Sequence, residues 1–328
     1  MFKNTFRELA RVSRSGLTKK LLMGMTIAAA CTIPVAANAD TPIAQCGTVI
    51  KTPGTYQTTQ ALQSTSATVD CIQIAAPGVE ISFNGDLTGP GSDNATGAGI
   101  RILSSASGVK LNLGNINIQG FGVGIAVEGS GAAITTGGVP GFFNVKNNAA
   151  QGVLVSGASA ILIDGLFSRF NGASGLELSN ASGVTLTGVP ALSSNGKYGL
   201  WLHSSSGNQF YDLQVVGNMA GGIYVGEPST IKPPSKQSDA HDNGSTSALA
   251  KKRKGAVNTS QKNVFLGTQA EFNGGPGVFM GSGDSSNLVT AITGTQNQGG
   301  DAVDMNGDCT DNRWVNNQFN QVAPSCIQ

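Results

Sequence analysis

Glu177, Trp201, Tyr224 and Phe279 occupy the same place in four short segments: GLEL at residue 175, GLWL at 199, GIYV at 222 and GVFM at 277. If each segment is a strand with one buried face, these four side chains share the opposite face. Three rings beside a carboxylate suit sugar recognition, because aromatic faces take the apolar side of a sugar ring while polar neighbours bind its hydroxyls. Arg101, in GIRI at 99, extends this ligand-facing column, in which Ala126 and Leu154 precede Glu177 and Asp304 would follow after a shift of one residue. Cross-strand aromatic stacking also stabilises sheets, so the same residues could simply cover one.

His203 stands two residues beyond Trp201, on the same face, and its ordinary pKa near neutrality suits acid–base work. Lys197 and Tyr198 precede this strand, Tyr211 and Asp212 follow it, and Arg169 lies one repeat earlier. His203, Lys197, Tyr211 and Glu177 are therefore the catalytic candidates, against the alternative of an ordinary surface histidine. Asp301, Asp304, Asp308 and Asp311 cluster near the C-terminus and could hold Ca²⁺ or form a solvated acidic cap. Asp239, His241 and Asp242 offer metal-ligating types in a segment of loop-like composition. No other metal or cofactor signature is present.

The elements that position these residues follow from their spacing. Gly-apolar-x-apolar segments begin at residues 99, 124, 152, 175, 199, 222 and 277, in steps of 25, 28, 23, 24, 23 and 55. Asn148, Asn171, Asn195, Asn218 and Asn273 each stand four residues before one of these glycines. Such a period signals a solenoid, and second apolar pairs such as Val184 with Leu186 give each repeat two or three short strands. Coils of this kind must stack to bury their apolar residues, placing Leu176 over Leu200, Leu178 over Leu202, and the asparagines in an amide ladder. Segments such as GVTLTG are too short and too rich in Gly, Thr and Val for amphipathic helices. The 55-residue step contains about 31 residues beyond one coil, in a Pro-, Ser- and Lys-rich insertion at 227–262 that reads as a solvated, disordered loop. Its KKRK run, 251–254, is a solvated charge run or an electrostatic capture site for an acidic glycan or anionic surface.

Residues 1–39 have a basic start, the apolar run LLMGMTIAAACTIPVAA and a closing ANA, which together predict a signal peptide cleaved between Ala39 and Asp40. A membrane anchor would need a longer run than one interrupted by Pro34, and a lipoprotein reading would place its lipid on Cys31. The remaining chain has 14 basic against 18 acidic residues, which excludes general affinity for nucleic acid, and has no transmembrane segment. Its four cysteines predict disulfides in an exported chain; their clustering favours Cys46 with Cys71 and Cys309 with Cys326 over the other two pairings.

At its two ends the chain reads TPGTYQTTQAL…DCIQIAAPGVEISFNGDLTGPG and CTDNRWVNNQF…SCI. With the repeats between them, these passages resemble the first and last turns of secreted right-handed parallel β-helix proteins of the pectin-lyase-like superfamily. The resemblance implies an all-β, single-stranded right-handed solenoid of about nine coils with disulfide-closed ends: a cap at 40–71 and a β-helix over 72–328. It also implies work on acidic polysaccharides, in a groove on an outer sheet face. The sequence contains no Asp-Pro-His-Asp of the alginate epimerase type, no Gly-His-Gly or Asp-Asp pair of the polygalacturonase type and no Arg-x-Pro-x-x-Arg of the pectate lyase type. The expectation is a secreted or periplasmic, non-catalytic scaffold that binds a polysaccharide or cell-surface glycan, the competing expectation a polysaccharide lyase or related enzyme.

Overall fold

The computed structural model describes residues 40–227, 259–307 and 310–327. The predicted signal peptide, most of the insertion with its KKRK run, Asp239, His241 and Asp242, and the pair Asp308 and Cys309 lie outside them. The described residues form three parallel sheets of eleven, ten and eleven strands, with no helix. The chain visits the first, second and third sheets in turn, so each coil adds one strand to each, in a right-handed solenoid of about ten coils. The extra coil relative to the repeat count comes from the N-terminal segment, where Thr41–Ile43, Thr48–Ile50 and Gly54–Thr58 already join the sheets without a Gly-apolar signature.

The register follows the repeat. Leu176 pairs with Leu200, Glu177 with Trp201 and Leu178 with Leu202 in the third sheet. Tyr224 pairs with Phe279, so strands 55 residues apart in sequence are direct neighbours in the sheet. The apolar partners form one continuous core along the axis, with Leu176, Leu200, Leu178 and Leu202 fully buried. In the last coil Val303, not Asp304, pairs with Phe279, and Asp304 stands beside Met280.

At the corner between the second and third sheets, Asn148, Asn171, Asn195, Asn218, Asn273 and Asn297 form the expected ladder. Each side-chain amide donates to the Oδ1 of the next at 2.9–3.1 Å. Each also donates to a carbonyl of the preceding coil, such as Asn195 Nδ2 to Ser168 O at 3.1 Å. The ladder explains the glycine that opens each third-sheet strand: a Cβ on Gly175 would sit 2.8 Å from Asn195 Nδ2, and one on Gly199 2.8 Å from Asn218 Nδ2. A second ladder, Asn208–Asn263–Asn287–Asn312, runs along the corner between the third and first sheets.

Cys46 and Cys71 form a disulfide between the first two coils, as expected. The pairing expected for Cys326 involves Cys309, which lies outside the described residues. Among the described residues no helix is long and apolar enough to cross a membrane.

Candidate functional site

On the outer face of the third sheet, strands Val153–Ser156, Leu176–Ser179 and Tyr198–His203 lie side by side. Alternation turns Glu177, Trp201 and His203 away from the core. Glu177 is buried nonetheless, because both carboxylate oxygens are engaged: Oε2 accepts from Gln151 Nε2 at 2.8 Å, and Oε1 lies 3.2 Å from His203 Nε2. That contact engages one ring nitrogen of His203 and leaves Nδ1 outside it. The His203 side chain keeps 18% of its surface exposed, and its ring lies 4.7 Å from that of Trp201. Trp201 Nε1 donates to the Gly226 carbonyl at 3.0 Å and its ring also lies 5.7 Å from that of Tyr198, so the indole is held at its polar edge and against two rings. The group is an aromatic surface beside an imidazole held by a carboxylate, a set able to place a ring and to exchange a proton.

The rest of the expected aromatic strip is not exposed. Tyr224 and Phe279 are each only 8% accessible. Tyr198, at the start of the Trp201 strand, stacks on Tyr224 at 4.6 Å, and Tyr224 stacks on Phe279 at 4.5 Å. This ring column is packed as a miniature outer core, and burial raises the pKa of the Tyr198 hydroxyl above its usual value. Trp201 alone among the three predicted rings remains half-buried.

Other expected partners are elsewhere. Lys197 is exposed on the turn before the strand, six residues from His203, or about 20 Å along an extended chain. Tyr211 belongs to the first sheet, where its hydroxyl donates to Gln209 Oε1 at 2.7 Å. Arg101 is engaged by Asp70 at 2.7 Å and Glu128 at 3.3 Å, and the hydrogen bond to Asp70 is the main reason its pKa is raised.

The C-terminal aspartates do not converge. Asp301 ends the first ladder, accepting from Asn297 Nδ2 at 2.9 Å and from the backbone of Asn320 and Gln321. Asp304 ends the second, accepting from Asn312 Nδ2 at 3.1 Å and Trp314 Nε1 at 3.0 Å. Asp311 is exposed, and among the described residues no three acidic, histidine or cysteine side chains are grouped to hold a metal ion. Sequence reasoning missed Gln151, whose role in orienting Glu177 shows only once strands one coil apart are aligned: it lies 26 residues from its partner.

A family model described as a right-handed β-helix region matches residues 98–257, just under half of the chain. No curated protein matches the chain in sequence. Among solved structures, the periplasmic alginate epimerase AlgG is 12% identical, with 80% of this chain and 76% of that chain covered and a TM-score of 0.41. The A-module of the Azotobacter vinelandii mannuronan C-5 epimerase AlgE6 is 12% identical, covering 84% of this chain and 75% of that one at a TM-score of 0.45. The Dettilon tailspike protein is 12% identical, covering 81% and 52% at a TM-score of 0.37. The three parallel sheets make the described chain a right-handed parallel β-helix, and the family model falls on its repeats over residues 98–257.

Proposed function

We propose that this chain is an exported β-helix that binds a polysaccharide or cell-surface glycan without cleaving it, through the outer face of the third sheet around Trp201. The observation that carries the reading is the pinned indole: Trp201 is fixed through Nε1 to Gly226 O and flanked by His203, an immobile platform that a sugar ring can meet at little entropic cost. The Glu177 carboxylate favours binding over turnover, because both oxygens already hold Gln151 and His203 in place. The signal-like N-terminus and the Cys46–Cys71 disulfide support export.

A polysaccharide array with the chain from Asp40 onward, read for both retention and product release, tests this. Trp201→Ala should lose retention, and no sample should release product. Released unsaturated or epimerised sugar that disappears in His203→Ala would overturn the non-catalytic reading and make the Glu177–His203 pair an acid–base centre.

A further inference from the structure

Seven successive turns leave the second sheet through a residue with left-handed backbone: Gly120, Asn147, Phe170, Ser194, Gly217, Phe272 and Gln296, with φ between 53° and 77°. Glycine and asparagine suit that conformation, whereas a bulky aromatic is strained in it. Phe170 has no burial to offset the strain, being 55% exposed, and no ring partner among the described residues. It lines a cavity of about 710 Å³ whose other walls include Ser92, Asp93, Gln119 and Asn147. That volume lies within the usual range for small-ligand sites.

Two cations stand beside this cavity, on whose wall Asp93 is the acidic residue. Lys146 and Arg169, each next in sequence to a lining residue, are register partners on neighbouring strands, so two cations stand one strand spacing apart on one outer face. Like charges so placed repel, and neither makes an ion pair among the described residues. Arg169 Nε is buried with no hydrogen-bond partner, and its guanidinium carbon lies 5.8 Å from the Phe170 ring centroid. An anion at this place would relieve the repulsion and give the arginine fork its acceptor.

We propose that this corner is a second glycan subsite, taking a sugar ring that carries an anionic group: the ring lies on Phe170, the anionic group meets Lys146 and Arg169, and Asp93, Gln119 and Asn147 take hydroxyls. It shares with the proposed function the premise that the chain binds glycan, and it uses none of the residues of the Trp201 face.

The test measures affinity by calorimetry for oligogalacturonate and oligomannuronate, each beside its neutral methyl ester, using the chain from Asp40 onward. The acid forms should bind at least tenfold more tightly than the esters, and Arg169→Gln should remove that difference. Phe170→Asn should weaken both forms tenfold or more while raising the thermal midpoint, because asparagine relieves the left-handed backbone; a purely structural phenylalanine would not separate stability from binding in this way. Trp201→Ala should leave the preference for acid over ester intact. Equal affinity for acid and ester, unchanged binding in Phe170→Asn, or no binding of any of these sugars would overturn the subsite. Binding that falls with Trp201→Ala and survives Phe170→Asn would sustain the third-sheet face and refute the corner; the reverse pattern would do the opposite.

Discussion

Asp284→Asn should stabilise the protein at neutral pH and do little in acid. Asp284 is 2% exposed, and its Oδ1 accepts the backbone N–H of Ser260 at 2.6 Å. Burial, and after it the nearby charges of Glu227 and Asp304, raise its pKa from 3.8 to about 6, although backbone hydrogen bonds from Ser260 and Gly281 pull the other way. Because the folded-state pKa is the higher one, the neutral carboxyl is the form the fold favours. Its contribution to stability is complete below about pH 4 and is lost as pH rises through about 6. A shift of about two units corresponds to a penalty on the order of 3 kcal/mol above that range. Asparagine keeps an Oδ1 acceptor for Ser260 and carries no charge, at the loss of the carboxylate's contact with the Gly281 backbone. The expected net gain is about 2 kcal/mol near pH 7.5, or roughly 4–8 °C in thermal midpoint, and close to none near pH 4. Urea and thermal unfolding of both proteins at the two pH values, followed by circular dichroism, measure it. An equal gain at both would show that packing rather than charge is responsible, and a loss at neutral pH would mean that the ionised carboxylate is needed.

Two further outcomes follow from the ladder and the disulfide. Asn195→Ala removes the acceptor used by Asn171 N and Nδ2 and the donor to Ser168 O and Asn218 Oδ1, all buried. It should cost about 4 kcal/mol in urea unfolding, and a loss below about 1 kcal/mol would mean that the ladder does not bear on stability. Cys46→Ser opens the link across a separation of 25 residues and should cost roughly 3 kcal/mol under oxidising conditions and nothing further in reductant. Equal stability of the two proteins without reductant would refute that contribution.

The repeat in the sequence carried the fold, because in a β-helix one residue's place in the coil fixes both its sheet and its face. Leu176 over Leu200 and Asn171 over Asn195 follow from period alone. Nearness along the chain was a poor guide to the site. Tyr211 is eight residues from His203 yet on another sheet, whereas Glu177, 26 residues away, touches it. Alternation correctly turned Tyr224 and Phe279 outward and could not say what would cover them; Tyr198, reaching across from the start of the preceding strand, is part of the answer. The insertion also ends earlier than composition suggests, since Ser260 and Gln261 already belong to the stack.

The same logic explains the buried aspartates that the sequence offers for calcium. Each ladder runs by passing N–H donors to the oxygen on the next coil, so where a ladder ends, the last donors need an acceptor that demands no further partner. A carboxyl oxygen, which accepts without having to donate, meets that need. Asp301 terminates the corner series after Asn297, Asp304 terminates the series after Asn312, and Asp284 follows Ser205 and Ser260 in a third, shorter chain of acceptors. The signal is present in the sequence as SSGN, SQKN and DSSN, at residues 205, 260 and 284, in register with the apolar ASGV at 181. At Asp284 burial, and after it the charges of Glu227 and Asp304, act against ionisation, so its replacement should separate the need for an acceptor from the need for a charge.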